Sequence, residues 1–203
     1  MTLGRNIKRV LFVSLAIFFS IILLKEYLFF SIKTEITLPK NLQLYSGDII
    51  LRKELNRISD IFATVNNAKY SHIGTLVLIN NQFKVVHIEK NDDKNDYKIS
   101  DIKEFMQFAS QYAIYRPKDH TSEQKLYAQV MTLKQQEPSF DMSFIGDNSD
   151  NKIYCTELAY ILHKNSTSIE INPKIKTYVN YEFIAITSFT NKKYFTLLYE
   201  SDV

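Results

Sequence analysis

The sequence of 203 residues predicts an α+β fold in which a small antiparallel sheet packs on one helix, preceded by one N-terminal transmembrane helix. Two β-type runs, 72–79 and 83–89, flank Asn80-Asn81, which is typical of a hairpin. A helical pattern begins at Cys155 and extends to His163. A long apolar stretch lies before Lys33.

The remaining elements follow from hydrophobic periodicity and from turn residues. They are a strand over 48–52, a helix over 55–65, a short helix over 102–108, a strand over 112–116, a helix over 121–136 that Pro138 stops, and a final hairpin of 181–189 with 193–199. No internal repeat or low-complexity segment indicates a second domain.

The apolar stretch predicts an uncleaved signal-anchor. Residues 10–24 contain two polar side chains, both serine, but at about 1.5 Å per residue they fall short of a bilayer core of roughly 30 Å. Extension to Ile32 makes the segment long enough. The basic residues before Val10 favour a cytoplasmic N-terminus, which places the chain from Lys33 onward outside the inner (cytoplasmic) membrane. A cleavable signal peptide has a similar pattern, but no small-x-small cleavage site follows.

Charge argues against a nucleic-acid partner. The formal charge of +3 arises before Lys33, because the rest of the chain carries 21 basic and 21 acidic residues. No basic surface is therefore expected on the globular part. The predicted organisation is a cytoplasmic stub and signal-anchor over 1–32, a tether over 33–44 and one domain over 45–203.

Cys155 is the single cysteine and stands where a loop is expected to turn into a helix. It cannot form an internal disulfide. The positive end of a helix dipole favours a thiolate, which is a nucleophile. A free cysteine is also often a small buried hydrophobe, so this residue alone leaves both interpretations open.

The hairpin supplies partners for such a thiol. His72 opens the first strand, and pairing brings the end of the second strand back to it. His87 and Glu89 share one face of the second strand, because side chains alternate with period two. Both side chains are therefore expected near His72, so that a nucleophile, a base and an orienting group are available.

Five short motifs occur in an order that resembles a known family. They are Gly47-Asp48-Ile49-Ile50, Tyr70-Ser71-His72-Ile73-Gly74, Val86-His87-Ile88-Glu89, Phe140-Asp141 with Phe144, and Tyr154-Cys155-Thr156-Glu157-Leu158. Together they resemble the permuted papain-like thiol hydrolases of the YiiX and YebB type, distant relatives of the NlpC-type cell-wall peptidases. The likeness covers roughly residues 45–163. In papain-like proteins the cysteine precedes the histidine, and the reverse order here is what circular permutation produces.

The resemblance implies a catalytic role for three residues. Cys155 would be the nucleophile, His72 the base, and Glu89 the group that orients the imidazole. His87 competes with Glu89 for the third role, because related lipid-processing members carry a second histidine there. The Cys155 backbone N–H would serve as an oxyanion donor.

The activity expected from this resemblance is hydrolysis of an amide or related acyl bond, in cell-envelope peptides or acylated compounds. A lipid-directed acyl hydrolase or acyltransferase with the same dyad is one alternative, and a non-catalytic membrane-anchored binding module is another. No cofactor is expected. A metal is not expected either, because four histidines and one cysteine show no usual ligand spacing.

Other candidate residues have structural explanations. His120 is expected in a solvated turn, and His163 near the end of its helix, where it would complement the dipole. Glu157 suits the first turn of the cysteine helix. Tyr70 and Tyr154 would line the cleft or pack in the core.

Overall fold

A computed structural model describes residues 38–54, 63–64, 67–90, 96–107, 109–144, 151–168, 170, 175–178 and 181–201. The signal-anchor over 1–32, most of the helix expected over 55–65 and the start of the tether lie outside these residues. None of the helices in the described ranges has the length and apolar character needed to cross a membrane.

An antiparallel sheet forms the centre of the described chain. Its strands are β1 (Ile49–Glu54), β2 (His72–Ile79), β3 (Gln82–Ile88), β4 (Tyr97–Asp101), β5 (Ala109–Pro117) and, near the C-terminus, β10 (Phe195–Glu200). They lie in the order β10-β5-β1-β2-β3-β4. Two smaller ladders are β6 (Ser139–Phe140) with β7 (Lys152–Ile153), and β8 (Ile175–Tyr178) with β9 (Tyr181–Ile184).

The predicted hairpin is confirmed. Strands β2 and β3 pair from Thr75 with Val86 to Ile79 with Gln82. The turn residues Asn80 and Asn81 have φ of 52° and 61°, which a type I′ turn requires and asparagine tolerates.

Three helices accompany the sheet among the described residues: α1 (Ile102–Phe105), α2 (Glu123–Gln136) and α3 (Cys155–Ser166). The Ser122 hydroxyl caps the N-terminus of α2, and Glu137 ends it in the left-handed conformation with φ of 47° just before Pro138. Helix α3 begins at Cys155, as expected, and extends three residues beyond His163.

The core occupies both faces of the sheet. On one face α2 and α3 pack against a cluster that includes Val77, Leu126 and Leu158. On the other face Leu76 and Phe105 belong to a cluster against which residues from the predicted tether pack, namely Leu38, Leu42 and Leu44. The described end of that segment is therefore part of the folded domain surface.

The final hairpin expected from the sequence is wrong. Strand β9 pairs with β8, residues Ile186–Ser188 form a 3-10 helix, and β10 pairs with the distant strand β5. Phe189 and Phe195 pack against each other with ring centroids 5.9 Å apart and are buried. Burial of this aromatic pair directs the last strand to the edge of the large sheet, which local periodicity cannot reveal.

Candidate active site

Strand register places His72 at the centre of a polar cluster. His72 is the first residue of β2 and pairs across the sheet with Arg52 of β1. Its side chain is 12% exposed, so one part of the ring remains accessible from solvent.

His87 lies directly against His72. The Nε2 atom of His72 is 3.2 Å from Nδ1 of His87, and Nε2 of His87 is 3.3 Å from the Ser100 hydroxyl on β4. The His87 side chain is 2% exposed. A continuous chain of polar contacts therefore runs from His72 into the sheet through His87.

Glu89 follows β3 and approaches the same two imidazoles. Its Oε2 atom lies 3.7 Å from Nε2 of His72 and 3.9 Å from Nδ1 of His87. The carboxylate also accepts hydrogen bonds from Arg52 at 2.6 Å and from Lys98 at 2.8 Å. The Glu89 carboxylate is thus hydrogen-bonded to two cationic side chains, and it lies within ion-pair distance of both histidines.

Phe105 forms the apolar wall of this cluster. Its ring stacks on His72 with centroids 5.6 Å apart and meets the edge of His87 at 4.9 Å. The Arg52 guanidinium lies 4.5 Å above the same ring and donates a hydrogen bond to the Phe105 carbonyl. Helix α1, which ends at Phe105, therefore fixes the two imidazoles and Arg52 together.

Cys155 is the first residue of α3, after Tyr154. The N-terminus is held by Glu157, whose carboxylate accepts from the Tyr154 N–H at 3.4 Å. The Tyr154 hydroxyl accepts from the Ile184 N–H at 2.9 Å. Cys155 packs against core clusters on both sides of this helix start.

Burial raises the pKa of the Cys155 thiol to about 11. Hydrogen bonds from the backbone N–H groups of Thr156, Cys155 and Ile73 oppose this rise, and so does the charge of Arg52. The helix start thus lowers the pKa as the sequence argument expects, but loss of hydration outweighs it. At neutral pH the thiol is protonated.

The structure brings Cys155 to the strand of His72 without closing a dyad. Cys155 packs against the core cluster that contains Ile73, the residue after His72. In the part of the chain that the structure describes, no hydrogen bond joins the Cys155 sulfur to either nitrogen of His72. Such contacts are commonly long in enzymes without substrate and tighten when substrate binds.

Both imidazoles are neutral at physiological pH. Burial lowers the pKa of His72 well below its usual range, and the positive charges of Arg52 and Lys98 and the neighbouring His87 lower it further. Burial also lowers the pKa of His87 to about 3, although Glu89 opposes the shift. Burial would raise the pKa of Glu89, but Arg52 and Lys98 outweigh it, so the carboxylate is ionised.

The fold brings together three possible metal ligands that are separated along the sequence. The ligand atoms of His72, His87 and Glu89 all lie within 4.8 Å of one another. The sequence argument against a metal compares spacing along the chain, whereas the hairpin joins residues 15 positions apart. A two-histidine, one-carboxylate set is a recognised donor set for transition metals.

Other titratable residues lie elsewhere. His120 is exposed in its turn, as expected. His163 is eight residues after Cys155, about 12 Å along the helix, and is fully buried beside Phe189 and Phe195. Burial lowers its pKa to about 4, so the imidazole is neutral at physiological pH. The prediction that a positively charged His163 complements the helix dipole is therefore wrong. Tyr70 is buried and donates to Glu200.

Sequence reasoning missed Arg52, Lys98, Ser100 and Phe105. Arg52 was expected only as the last residue of the strand over 48–52, with no role in a site, and it is 4% exposed. Ser100 and Lys98 lie on β4, whose pairing with β3 is visible only in the fold. In the sequence, Phe105 has the pattern of an ordinary core residue of the short helix predicted over 102–108.

A comparison with curated proteins finds no match for this chain. Among solved structures, the fold is similar to the crystal structure of metalloprotein yiiX from Escherichia coli O157:H7, with a TM-score of 0.59 and 17% sequence identity. The match covers 78% of this chain and 98% of that one. At this identity the likeness concerns the fold.

The family model for permuted papain-like amidase enzymes, the YaeF/YiiX or C92 family, matches residues 43–186. The matched range contains the cysteine helix, the histidine strand and the polar cluster described above. Because it spans most of the chain and agrees with the residue order His72 before Cys155, the chain belongs to the family of permuted papain-like amidases.

Proposed function

We propose that this protein is a membrane-anchored cysteine hydrolase that cleaves an amide or related acyl bond, with Cys155 as nucleophile and His72 as base. One observation carries the proposal. Cys155 stands at the start of α3 and packs against the core cluster that contains Ile73, the residue after His72, and this proximity supports pairing of the thiol with the histidine strand. Family membership makes thiol amidase chemistry the expected use of that arrangement.

The neutral resting state defines the order of proton transfer. Because the thiol and His72 are both uncharged at neutral pH, His72 removes the thiol proton as sulfur attacks the carbonyl carbon. The imidazolium then protonates the leaving amine or alcohol, and a thioester remains on Cys155. A water molecule, deprotonated by His72, hydrolyses the thioester and releases the acid with the thiol restored.

The neighbours of His72 have separate tasks in this scheme. If His87 donates through Nε2 to Ser100, its Nδ1 accepts from Nε2 of His72, which leaves Nδ1 of His72 with the lone pair that a base needs. Glu89 stabilises the imidazolium by charge from 3.7 Å. The Cys155 N–H, at the helix start, would stabilise the oxyanion.

Location narrows the substrate class. The signal-anchor expected over residues 1–32 would place the domain on the periplasmic side of the inner membrane, where cell-envelope peptides and acylated compounds are available. A lipid-directed acyl hydrolase or acyltransferase would use the same thioester. The third alternative, a non-catalytic binding module, predicts that no thioester forms on Cys155.

The test uses the full chain in mild detergent with envelope peptides, N-acylated amino acids and acyl esters, analysed by mass spectrometry. We expect a thioester at Cys155 and a hydrolysed product with at least one class. Cys155→Ala and His72→Ala should each abolish turnover with unchanged circular dichroism, whereas His120→Ala, a histidine outside the site, should act as wild type. Wild-type turnover by Cys155→Ala would refute the proposal.

A further inference from the structure

The arrangement of His72, His87 and Glu89 satisfies a geometric condition that their proposed catalytic roles do not require. Nε2 of His72, Nδ1 of His87 and Oε2 of Glu89 form a triangle with sides of 3.2, 3.7 and 3.9 Å. A point equidistant from the three atoms lies about 2.1 Å from each, as follows from those sides. Zinc binds histidine nitrogen at about 2.0–2.1 Å and carboxylate oxygen at about 2.0–2.2 Å.

The surroundings of His87 and Glu89 supply the contacts that hold metal ligands in place. A ligating imidazole usually bonds through its other nitrogen to a neighbouring polar group, and Nε2 of His87 lies 3.3 Å from the Ser100 hydroxyl. A ligating carboxylate is usually hydrogen-bonded as well, and Glu89 is bonded by Arg52 and Lys98. Because each carboxylate oxygen has two lone pairs, Oε2 can accept from Arg52 and still bind an ion.

We propose that His72, His87 and Glu89 form a reversible binding site for a divalent first-row transition ion, with Zn²⁺ as the ion whose bond lengths fit, and that a bound ion prevents His72 from acting as a base. This inference goes beyond the proposed hydrolysis. Three protein ligands leave a fourth position open for water. Mg²⁺ and Ca²⁺ prefer oxygen ligands, so two imidazole nitrogens select against them.

Mutual exclusion follows from the chemistry of the imidazole ring. A neutral imidazole has one lone pair and one N–H. When the Nε2 lone pair of His72 binds the ion, the ring proton must be on Nδ1. No lone pair then remains to accept the thiol proton, whichever nitrogen faces Cys155.

The charges around the site make the binding reversible. Arg52 and Lys98 contact Glu89 and repel an incoming dication. Glu54 contacts Arg52 at 2.6 Å and offsets part of that repulsion. We therefore expect affinity in the micromolar range, weaker than that of a structural zinc site, so that a chelator removes the ion without unfolding the protein.

Binding is measured on the full chain in mild detergent, after chelator treatment, by calorimetry with Zn²⁺ and by visible absorption with Co²⁺. We expect one equivalent bound and no response to Mg²⁺. His87→Ala and Glu89→Gln should weaken binding at least tenfold, His120→Ala should leave it unchanged, and Cys155→Ala should bind as wild type. Equal binding by wild type and both ligand variants, or no binding by wild type, overturns the proposal.

A second measurement on the unmodified chain needs no variant to fold. Zn²⁺ should raise the melting temperature, because a ligand that binds only the native state stabilises it. Zn²⁺ should also slow hydrolysis and alkylation of Cys155, and a chelator should restore both. An unchanged melting temperature would refute the site. Hydrolysis that persists in Cys155→Ala and needs Zn²⁺ would refute the thiol mechanism and the mutual exclusion while leaving the ion site intact.

Discussion

Nε2 of His72 lies 3.2 Å from Nδ1 of His87, so the base proposed for this enzyme shares a hydrogen bond with a second, almost fully buried imidazole. The pair stands between Glu89 and the ring of Phe105. The groups around His72 come from the sheet, from Glu89 just after β3 and from α1, whereas the thiol comes from α3. The chemistry proposed for this site therefore depends on how α3 packs on β2.

The first prediction concerns thiol reactivity. Because burial raises the Cys155 pKa to about 11, the rate of alkylation by iodoacetamide should keep rising with pH through the range in which an ordinary thiol, with a pKa of about 8.5, has levelled off. Stopped-flow alkylation from pH 6 to 10.5 measures this. The urea-unfolded chain is the control and should level off earlier. A native profile that levels off near pH 7 would mean that the thiol is already activated.

The second prediction distinguishes Glu89 from His87. Glu89→Gln leaves Arg52 and Lys98 without their shared carboxylate beside the imidazolium that forms during attack. We expect kcat/KM to fall by about 10³ to 10⁴, as when the carboxylate of a catalytic triad is neutralised. His87→Ala removes one orienting hydrogen bond and should cost about 10- to 100-fold. The opposite order would assign the third position to His87.

The hairpin, the histidine strand and the start of the cysteine helix could be predicted because local signals determine them: a β-type residue pattern, an Asn-Asn turn and an acidic residue in the first turn of the helix. The edge strand β10 could not be predicted, since its partner β5 is about 80 residues away in sequence. Arg52 was missed for the same reason, because its burial depends on Glu89 and Phe105 meeting it in space. The thiol pKa was misjudged because a helix start is visible in sequence and desolvation is not.

The third prediction concerns the packing that holds Phe105 against His72. A Cβ added to Gly74 would lie 2.3 Å from Cγ1 of Val85 and 3.3 Å from Cε2 of Phe105. We expect Gly74→Ala to lower the free energy of unfolding by about 1–3 kcal/mol, as overpacking does. Removal of the clashing methyl in Gly74→Ala with Val85→Ala should recover part of this loss. Urea titrations of the two single variants and the double variant measure the coupling, and strict additivity would contradict it.

The fourth prediction concerns acid stability. Neither ring nitrogen of His163 has a hydrogen-bond partner among the described residues, and its pKa is about 4 in the native state against about 6.5 unfolded. The unfolded chain therefore binds more protons between these values, so stability falls as pH drops from about 6.5 to 4, by about 3 kcal/mol at most. His163→Phe should gain stability relative to wild type across that interval. The test is the difference in unfolding free energy between His163→Phe and wild type, measured at pH 7 and at pH 4.5. Protonation of His72 and His87 affects the variant and the wild type equally, so it cancels in this difference. His120→Gln is the control. A difference independent of pH would show that the pKa of His163 does not change on folding.

The last prediction concerns topology, and it follows from the basic residues before Val10 together with the missing cleavage signal. Apolar burial of residues 10–32 in the bilayer should anchor the protein, so carbonate or high-salt washing should leave the full-length chain in the membrane fraction. A reporter that is active only outside the cytoplasm should be active when fused after Val203, because the positive-inside tendency retains the N-terminus in the cytoplasm.

Replacement of Arg5, Lys8 and Arg9 by glutamine should weaken that orientation and lower reporter activity, whereas replacement of Lys192 and Lys193 should leave it unchanged. A soluble product that starts near Lys33 would identify the segment as a cleaved signal peptide. Reporter activity in the cytoplasm would refute the orientation and would place Cys155 in a reducing compartment.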